Sequence, residues 1–234
     1  MTDQVKARRA YRSARRQAGA AQTRRAVIEA AGTQFRRHGY RVALSAIARE
    51  AGVAVETIYR IFGTKTGLFR AVIDALLAGG TARADLPVEQ RPAIRAIRDE
   101  PDPRRKVARY AATQPGIHRR AGPLLRALRD AKSTDPELSR LWSELEASRF
   151  EGQGRFIRAL AEQGALRPDR SADEGSDILW VLSSLAVYDL LVVERGWTDA
   201  AYESWLAGVL GGELVRQDPV ATPAGGGDVR LRDP

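Results

Sequence analysis

Apolar residues recur along this chain at helical spacing, three and four apart, and no segment alternates in the manner of a strand, so the pattern predicts an all-α protein. Near the N-terminal end two short helices are written around a glycine: Leu44, Ile47 and Ala48 share one face, Gly52 supplies a turn, and Ile58 and Phe62 repeat one helical turn apart after it. Helices this short do not stand alone. Their partners are a preceding helix with Ile28, Ala31 and Phe35 on one face, and a following helix after Gly63 that turns Leu68 and Phe69 back.

Beyond this unit the pattern predicts helices over 66–79, 88–99, 103–119, 122–131, 136–164, 172–195 and 199–216, mostly separated by Pro and Gly. Start signals mark three of them. Asp135 precedes a proline at the first helical position, Ser171 with Glu174 spells a capping box, and Thr198 precedes Asp199 and Glu203. The apolar segment ILWVLSSLAVYDLLVV, 178–193, reads as too short for a membrane span and carries Asp189. Apolar all round, it is expected to pack on its own subunit with one face and on a partner with the other. The last helix offers a second such surface, where Gly208 and Gly211 permit close approach.

Charge changes the picture by its location. Residues 1–70 hold 15 Lys or Arg against 4 Asp or Glu, an excess of +11, which leaves −2 for the rest of a chain whose total is +9. That is the footprint of a nucleic-acid-binding module on a near-neutral body. Lys6, Arg8, Arg9, Arg12, Arg15 and Arg16 fall in a segment, 1–21, with too little apolar content to fold alone, read here as a disordered basic arm able to follow phosphates or enter a minor groove. The Pro- and Gly-rich end, 217–234, reads as a disordered tail.

AIAREAGVAVETIYRIFGTK, 46–65, resembles the helix-turn-helix of the TetR family of transcriptional repressors, TRRAVIEAAGTQFRRHGY resembles that family's first helix, and the likeness covers about 22–75. It implies a three-helix DNA-binding domain over 22–70, with its motif at about 43–62, followed over 71–216 by a helical ligand-binding and dimerisation bundle. It also implies that Thr57 and Tyr59 touch phosphates, that Lys65 sets its ammonium on the DNA backbone at the start of helix 4, and that Val55, Glu56 and Arg60 face the groove, with Arg24 adding positive charge nearby. Val55 can meet a thymine methyl, Arg60 can pair with guanine, and Glu56 can accept from cytosine or cap the helix.

Two departures stand out. RVALSA, 41–46, is one residue shorter than the family pattern and lacks the capping Thr, an omission worth about 1 kcal/mol, with Ser45 as a substitute if the helix starts late. The recognition helix follows Ala54, with no polar cap.

The resemblance further implies dimerisation through the last two helices, for which Leu185, Leu190, Val193, Tyr202, Trp205, Leu206 and Val209 are the candidates, and an effector pocket inside the C-terminal helices. Candidate lining residues are Tyr110, His118, Leu124, Leu128, Trp142, Leu145, Phe156, Trp180 and Tyr188, each of a type that also serves as ordinary core. His118, near the end of the 103–119 helix, can complement its dipole, and His38 neighbours a C-terminal cap at Gly39.

With no Cys and two His, thiol chemistry and zinc fingers are excluded, and neither a metal nor another cofactor is expected. Gly152-Gln153-Gly154 follows no strand and reads as a kink rather than a phosphate loop. A basic start without an apolar core implies no export signal, hence a cytoplasmic protein at the nucleoid with no membrane partner. The expected function is a dimeric repressor released from an inverted-repeat operator in double-stranded DNA by a small molecule. The alternatives are an architectural DNA binder and a helical enzyme or carrier.

Overall fold

A computed structural model describes residues 2–217, with residues 2–14 and 16 as backbone alone; the tail expected over 217–234 lies, apart from Gln217, outside the described residues. The described elements are α1 (Thr2–His38), α2 (Leu44–Ala51), α3 (Val55–Phe62), α4 (Lys65–Ala78), α5 (Thr81–Ala84), a 3-10 turn (Val88–Gln90), α6 (Pro92–Arg98), α7 (Pro103–Ala131), α8 (Pro136–Glu162), α9 (Ala172–Leu182), α10 (Leu185–Tyr188), a π-type turn (Asp189–Glu194) and α11 (Asp199–Leu214). Among the described residues the sole β feature is an isolated bridge between Leu166 and Val215, which ties the loop after α8 to the end of α11.

Two apolar clusters organise these helices. The first joins Val27, Ile28, Ala31 and Phe35 of α1, Ile47 and Ala48 of α2, Ile58 of α3 and Leu68, Phe69, Val72 and Ile73 of α4 to Leu124 and Leu128 of α7 and Leu138 and Leu141 of α8. The second gathers Val107 and Ala111 of α7, Ile157 and Leu160 of α8, Leu179 of α9, Tyr188 of α10 and Tyr202, Leu206, Leu210 and Leu214 of α11. The two long helices α7 and α8 run through both clusters and join the halves of the molecule.

The three start signals read from sequence hold. Asp135 accepts from the amides of Glu137 (2.9 Å) and Leu138 (3.2 Å), Ser171 and Glu174 form both halves of the capping box, and Thr198 accepts from Ala201 N (3.1 Å). Several boundaries differ. The segment 2–21, expected as a disordered arm, is the first half of α1. Ala, Arg and Gln are strong helix formers, and no proline interrupts their continuation from a helix already anchored by Val27 and Phe35. The helices expected over 103–119 and 122–131 are one, α7, which carries Pro115 and Pro123 in its interior. Each proline removes one donor, and burial of Ala111, His118, Leu124 and Leu128 along one face holds the rod together. His118 is therefore mid-helix, and the reading of it as complementing a helix terminus is corrected. The helix expected over 88–99 is a 3-10 turn followed by α6, because Pro92 takes the first helical position. α8 runs through Gly152 and Gly154 as one helix, as the span 136–164 predicts.

The helix expected over 172–195 is broken at Ser183-Ser184, where Ser184 turns to an extended ψ of 155° and caps α10 through Val187 N (3.3 Å). Residues 172–194 are by length and composition alone long and apolar enough to cross a membrane, which corrects the shorter span read from sequence. In this fold that stretch is interrupted, it buries Leu179 and Tyr188 in the second cluster, and its Asp189 pairs with Arg126 (2.6 Å).

Candidate nucleic-acid interface

Gly52, at φ 67°, closes α2 with its amide directed at the Ala48 and Arg49 carbonyls, and this left-handed residue lets α3 cross α2 at once. α3 then divides by face. Ile58 is wholly buried, Val55 and Phe62 pack partly against the first cluster, and Glu56, Tyr59 and Arg60 face outward, Tyr59 with 52% of its surface free. Val55 gives part of its surface to the core, and Thr57 is half-buried on the same helix.

Both motif helices start from alanine, Ala43 for α2 and Ala54 for α3, each in extended backbone with no side-chain cap. Ser45 lies in the first turn of α2, exposed, and does not cap it, because the helix begins at Leu44 rather than a turn later. Of the first-turn amides of α3, Thr57 N donates to the Ala54 carbonyl (3.0 Å), and no side chain caps the rest.

Lys65 is the first residue of α4, its ammonium 4.8 Å from the centre of the Tyr40 ring. Partial burial lowers its pKa. Tyr40 is fixed in turn by ring contacts to Phe35 (6.3 Å) and Phe69 (5.2 Å). Thr66 Oγ1 donates to Glu137 Oε2 (2.7 Å), which leaves it to accept the Tyr40 hydroxyl proton at 2.7 Å. The ring under the Lys65 ammonium is thus two hydrogen bonds from the first turn of α8. Arg70 pairs with Glu144 two turns further along α8. Arg24 of α1 stacks on Phe62, 5.4 Å from the ring centre, at the end of α3.

Sequence reasoning missed Thr64 and Gly67. Thr64 caps α4 by accepting from Gly67 N (2.9 Å), a signal visible as a threonine ahead of an apolar helix. A Cβ on Gly67 would stand 2.3 Å from the Phe62 carbonyl, so glycine there permits the end of α3 and the start of α4 to touch.

The residues expected to line one effector pocket fall in two places. Leu124 and Leu128 are buried in the first cluster with Trp142 and Leu145 packed against it, and they are core, because the facing halves of α7 and α8 pack there on α1 and α4. Tyr110, Phe156 and Tyr188 meet in the second cluster, where His118 stacks 4.8 Å from the Tyr188 ring. Trp180 lies under the Arg149 guanidinium at 5.0 Å. His118 is 5% exposed, and burial pushes its pKa down to about 4. The Ser183 backbone favours the protonated ring by its proximity, but outside hydrogen-bond geometry: neither ring nitrogen has a partner among the described residues.

Of the expected dimer contacts, Tyr202 and Leu206 are wholly buried inside their own subunit and are withdrawn. Leu185, Trp205 and Val209 are half-buried, and Leu190 and Val193 stand 53% and 61% exposed. No group of three or more His, Asp or Glu among the described residues is placed to hold a metal.

The two short helices α2 and α3 form a helix-turn-helix with Glu56, Tyr59 and Arg60 on its outward face, set on a helical body. Residues 27–72 match the family described as bacterial regulatory proteins, tetR family. Comparison with curated proteins gives no match. Among solved structures, a Rhodococcus sp. protein assigned to the TetR-family transcriptional regulators superposes with TM-score 0.64 at 16% identity, over 82% of this chain and 98% of its own. NalD of Pseudomonas aeruginosa, described as the secondary repressor of the MexAB-OprM multidrug efflux pump, gives 0.63 at 21% over 85% and 98%. A transcriptional regulator from Saccharomonospora viridis, crystallised with choline, gives 0.61 at 21% over 84% and 99%. At these identities the likeness establishes a shared fold.

Proposed function

We propose that this chain is a dimeric repressor that reads an inverted-repeat operator with two copies of α3 and releases it when a small molecule binds among the C-terminal helices. The observation that carries the reading is a pair of surfaces built from different elements of one subunit. On the first, Glu56, Tyr59 and Arg60 stand outward in the N-terminal segment, 1–70, with the +11 excess. On the second, Val181, Leu190, Val193 and Trp197 are large exposed apolar residues, of the kind that a second copy covers. A two-fold axis through that patch sends two recognition helices to successive major grooves, hence the inverted repeat.

Repression fits NalD's description, and effector release fits the choline complex of the S. viridis relative. The Tyr40–Thr66–Glu137 chain and the Arg70–Glu144 pair supply a rigid link through which α8 can set the position of α3. The protein works in the cytoplasm, at the nucleoid. Selection of the purified protein against random duplex DNA tests the reading: an enriched inverted repeat supports it, and single half-sites or no enrichment count against it.

A further inference from the structure

α1 is one helix of 37 residues, about 55 Å long, and its core-facing positions Val27, Ile28, Ala31 and Phe35 all lie in the C-terminal half. Gln17, Ala18, Gly19 and Ala20 are exposed, and four consecutive residues cover a whole helical turn, so at this level α1 stands clear of its own chain. Partial burial begins at Ala21, and at Arg24 the helix passes the end of α3, where the guanidinium stacks on Phe62 at 5.4 Å. The N-terminal half of α1 therefore sets out from beside the recognition helix. Its sequence, residues 2–16, holds six Lys or Arg against one Asp, +5 of the +11 in residues 1–70. Arg8, Arg12, Arg15 and Arg16 follow the spacing i, i+4, i+7 and i+8 that shares one face of a helix, with Arg9 at its edge.

Like charges four apart on one helix face repel each other, so this face is held most stably against a surface of opposite sign. Which surface follows from what the segment lacks. A helix that docks in a protein groove needs apolar anchors three, four and seven apart, and one that lies in a membrane surface needs an apolar face. Between Thr2 and Ala20 the only apolar side chains larger than alanine are Val5 and Tyr11, six positions apart. Arginine without apolar anchors suits phosphate, which it grips through charge and paired N–H donors. We infer that the N-terminal half of α1 is a second DNA-binding element, a helical arm that sets Arg8, Arg9, Arg12, Arg15 and Arg16 on phosphates flanking the half-site under α3. Arg8 lies 16 residues from Arg24, about 24 Å along the helix, so the arm reaches at most about seven base pairs past the end of α3. This rests on the DNA-binding reading above and adds to it a contact outside the repeat that α3 reads.

The test is affinity across salt concentration for the full chain and for two variants, in which Arg8, Arg9, Arg12, Arg15 and Arg16 are all changed to Gln or all to Lys. Two duplexes are compared: the repeat enriched from random DNA, trimmed to its ends, and the same repeat with about ten added base pairs on each side. For the wild type and the Lys variant the flanks should raise affinity at least about 10-fold and steepen the salt slope by about 3, at about 0.9 per neutralised phosphate. The Gln variant should bind the trimmed repeat as the wild type does, gain nothing from the flanks and keep the wild-type melting midpoint. Flanks that add nothing for the wild type, or add as much for the Gln variant, would overturn the inference and leave the reading of α3 intact. So would a Gln variant that keeps the gain from the flanks and loses only binding to phosphatidylglycerol vesicles, which makes the arm a membrane contact. If no repeat is enriched, random duplex of about 40 base pairs takes its place: a slope shallower by about 3 in the Gln variant supports the arm, and an equal slope overturns it. Absence of all duplex binding by the wild type would overturn the reading of α3 together with that of the arm.

Discussion

Around Ile58 the buried neighbours are hydrocarbon and aromatic, whereas around Tyr202 an imidazole, an amide and a phenol are buried among the rings without all their hydrogen bonds. The first region gives its polar contacts to the rim, where the Tyr40 hydroxyl, Thr66 and Glu137 satisfy one another. A close-packed apolar core of this kind has one low-energy arrangement and holds a recognition helix at fixed height and angle. The second region lacks that saturation: His118, Gln153 and Tyr202 keep polar atoms without a hydrogen-bond partner among the described residues.

The largest expected effect lies at the surface of the second region. Leu190→Asp with Val193→Asp should abolish dimerisation and lower operator affinity more than about 100-fold, since two half-sites no longer bind as one unit, with the helical spectrum intact. Sedimentation velocity and operator titration check this, and an unchanged sedimentation coefficient would move the interface elsewhere.

Acid should separate the two regions next. His118 has a folded pKa of about 4 against the ordinary 6.5, so below pH 6.5 the unfolded chain binds a proton that the folded chain refuses. Stability contributed by neutral His118 is complete above pH 6.5 and falls as pH drops toward 4, by about 1.4 kcal/mol per unit and about 3 kcal/mol in all. Urea unfolding at pH 7 and pH 4.5 should show this fall in the wild type and a smaller one in His118→Phe.

In the first region, Gly67→Ala should cost about 1–3 kcal/mol, because the new methyl meets the Phe62 carbonyl, and denaturant midpoints will register it. Arg60→Ala should relax preference at one base pair, worth about 1–3 kcal/mol, in competition binding with single-position operator variants. The smallest effect is that of Lys65→Ala, which should weaken all sequences alike and reduce the salt slope by about 0.9, as read from affinity across salt concentrations.

The motif was legible because α2 and α3 are short and each is closed by a glycine, so that Gly52 and Gly63 mark ends that apolar spacing alone leaves open. The outward position of Glu56, Tyr59 and Arg60 on α3 was legible too, while the half-burial of Val55 depends on how α3 leans on the core. The second region was misread where local signals conflict with packing. Gly122 and Pro123 look like a helix end, yet burial on both sides of them carries α7 through. Ser183-Ser184 looks like helix interior, and only the Ser184 cap reveals the break. Apolar spacing identifies which positions of α11 are buried, not whether their own chain or a partner covers them, and Tyr202 is covered by its own chain. Gln153, hidden between two glycines, carried no sequence signal of its bonds to Ser183 and Tyr110.

The central claim, a two-fold repressor with its DNA geometry fixed in one half, is tested most directly by selecting binders from random duplex DNA and titrating the winner against scrambled duplex across salt. An inverted repeat with half-sites about one helical turn apart, bound at least about 1,000-fold more tightly than scrambled DNA, is the predicted result. Equal affinity for both duplexes with a steep salt slope would contradict it and make the chain a sequence-indifferent DNA binder.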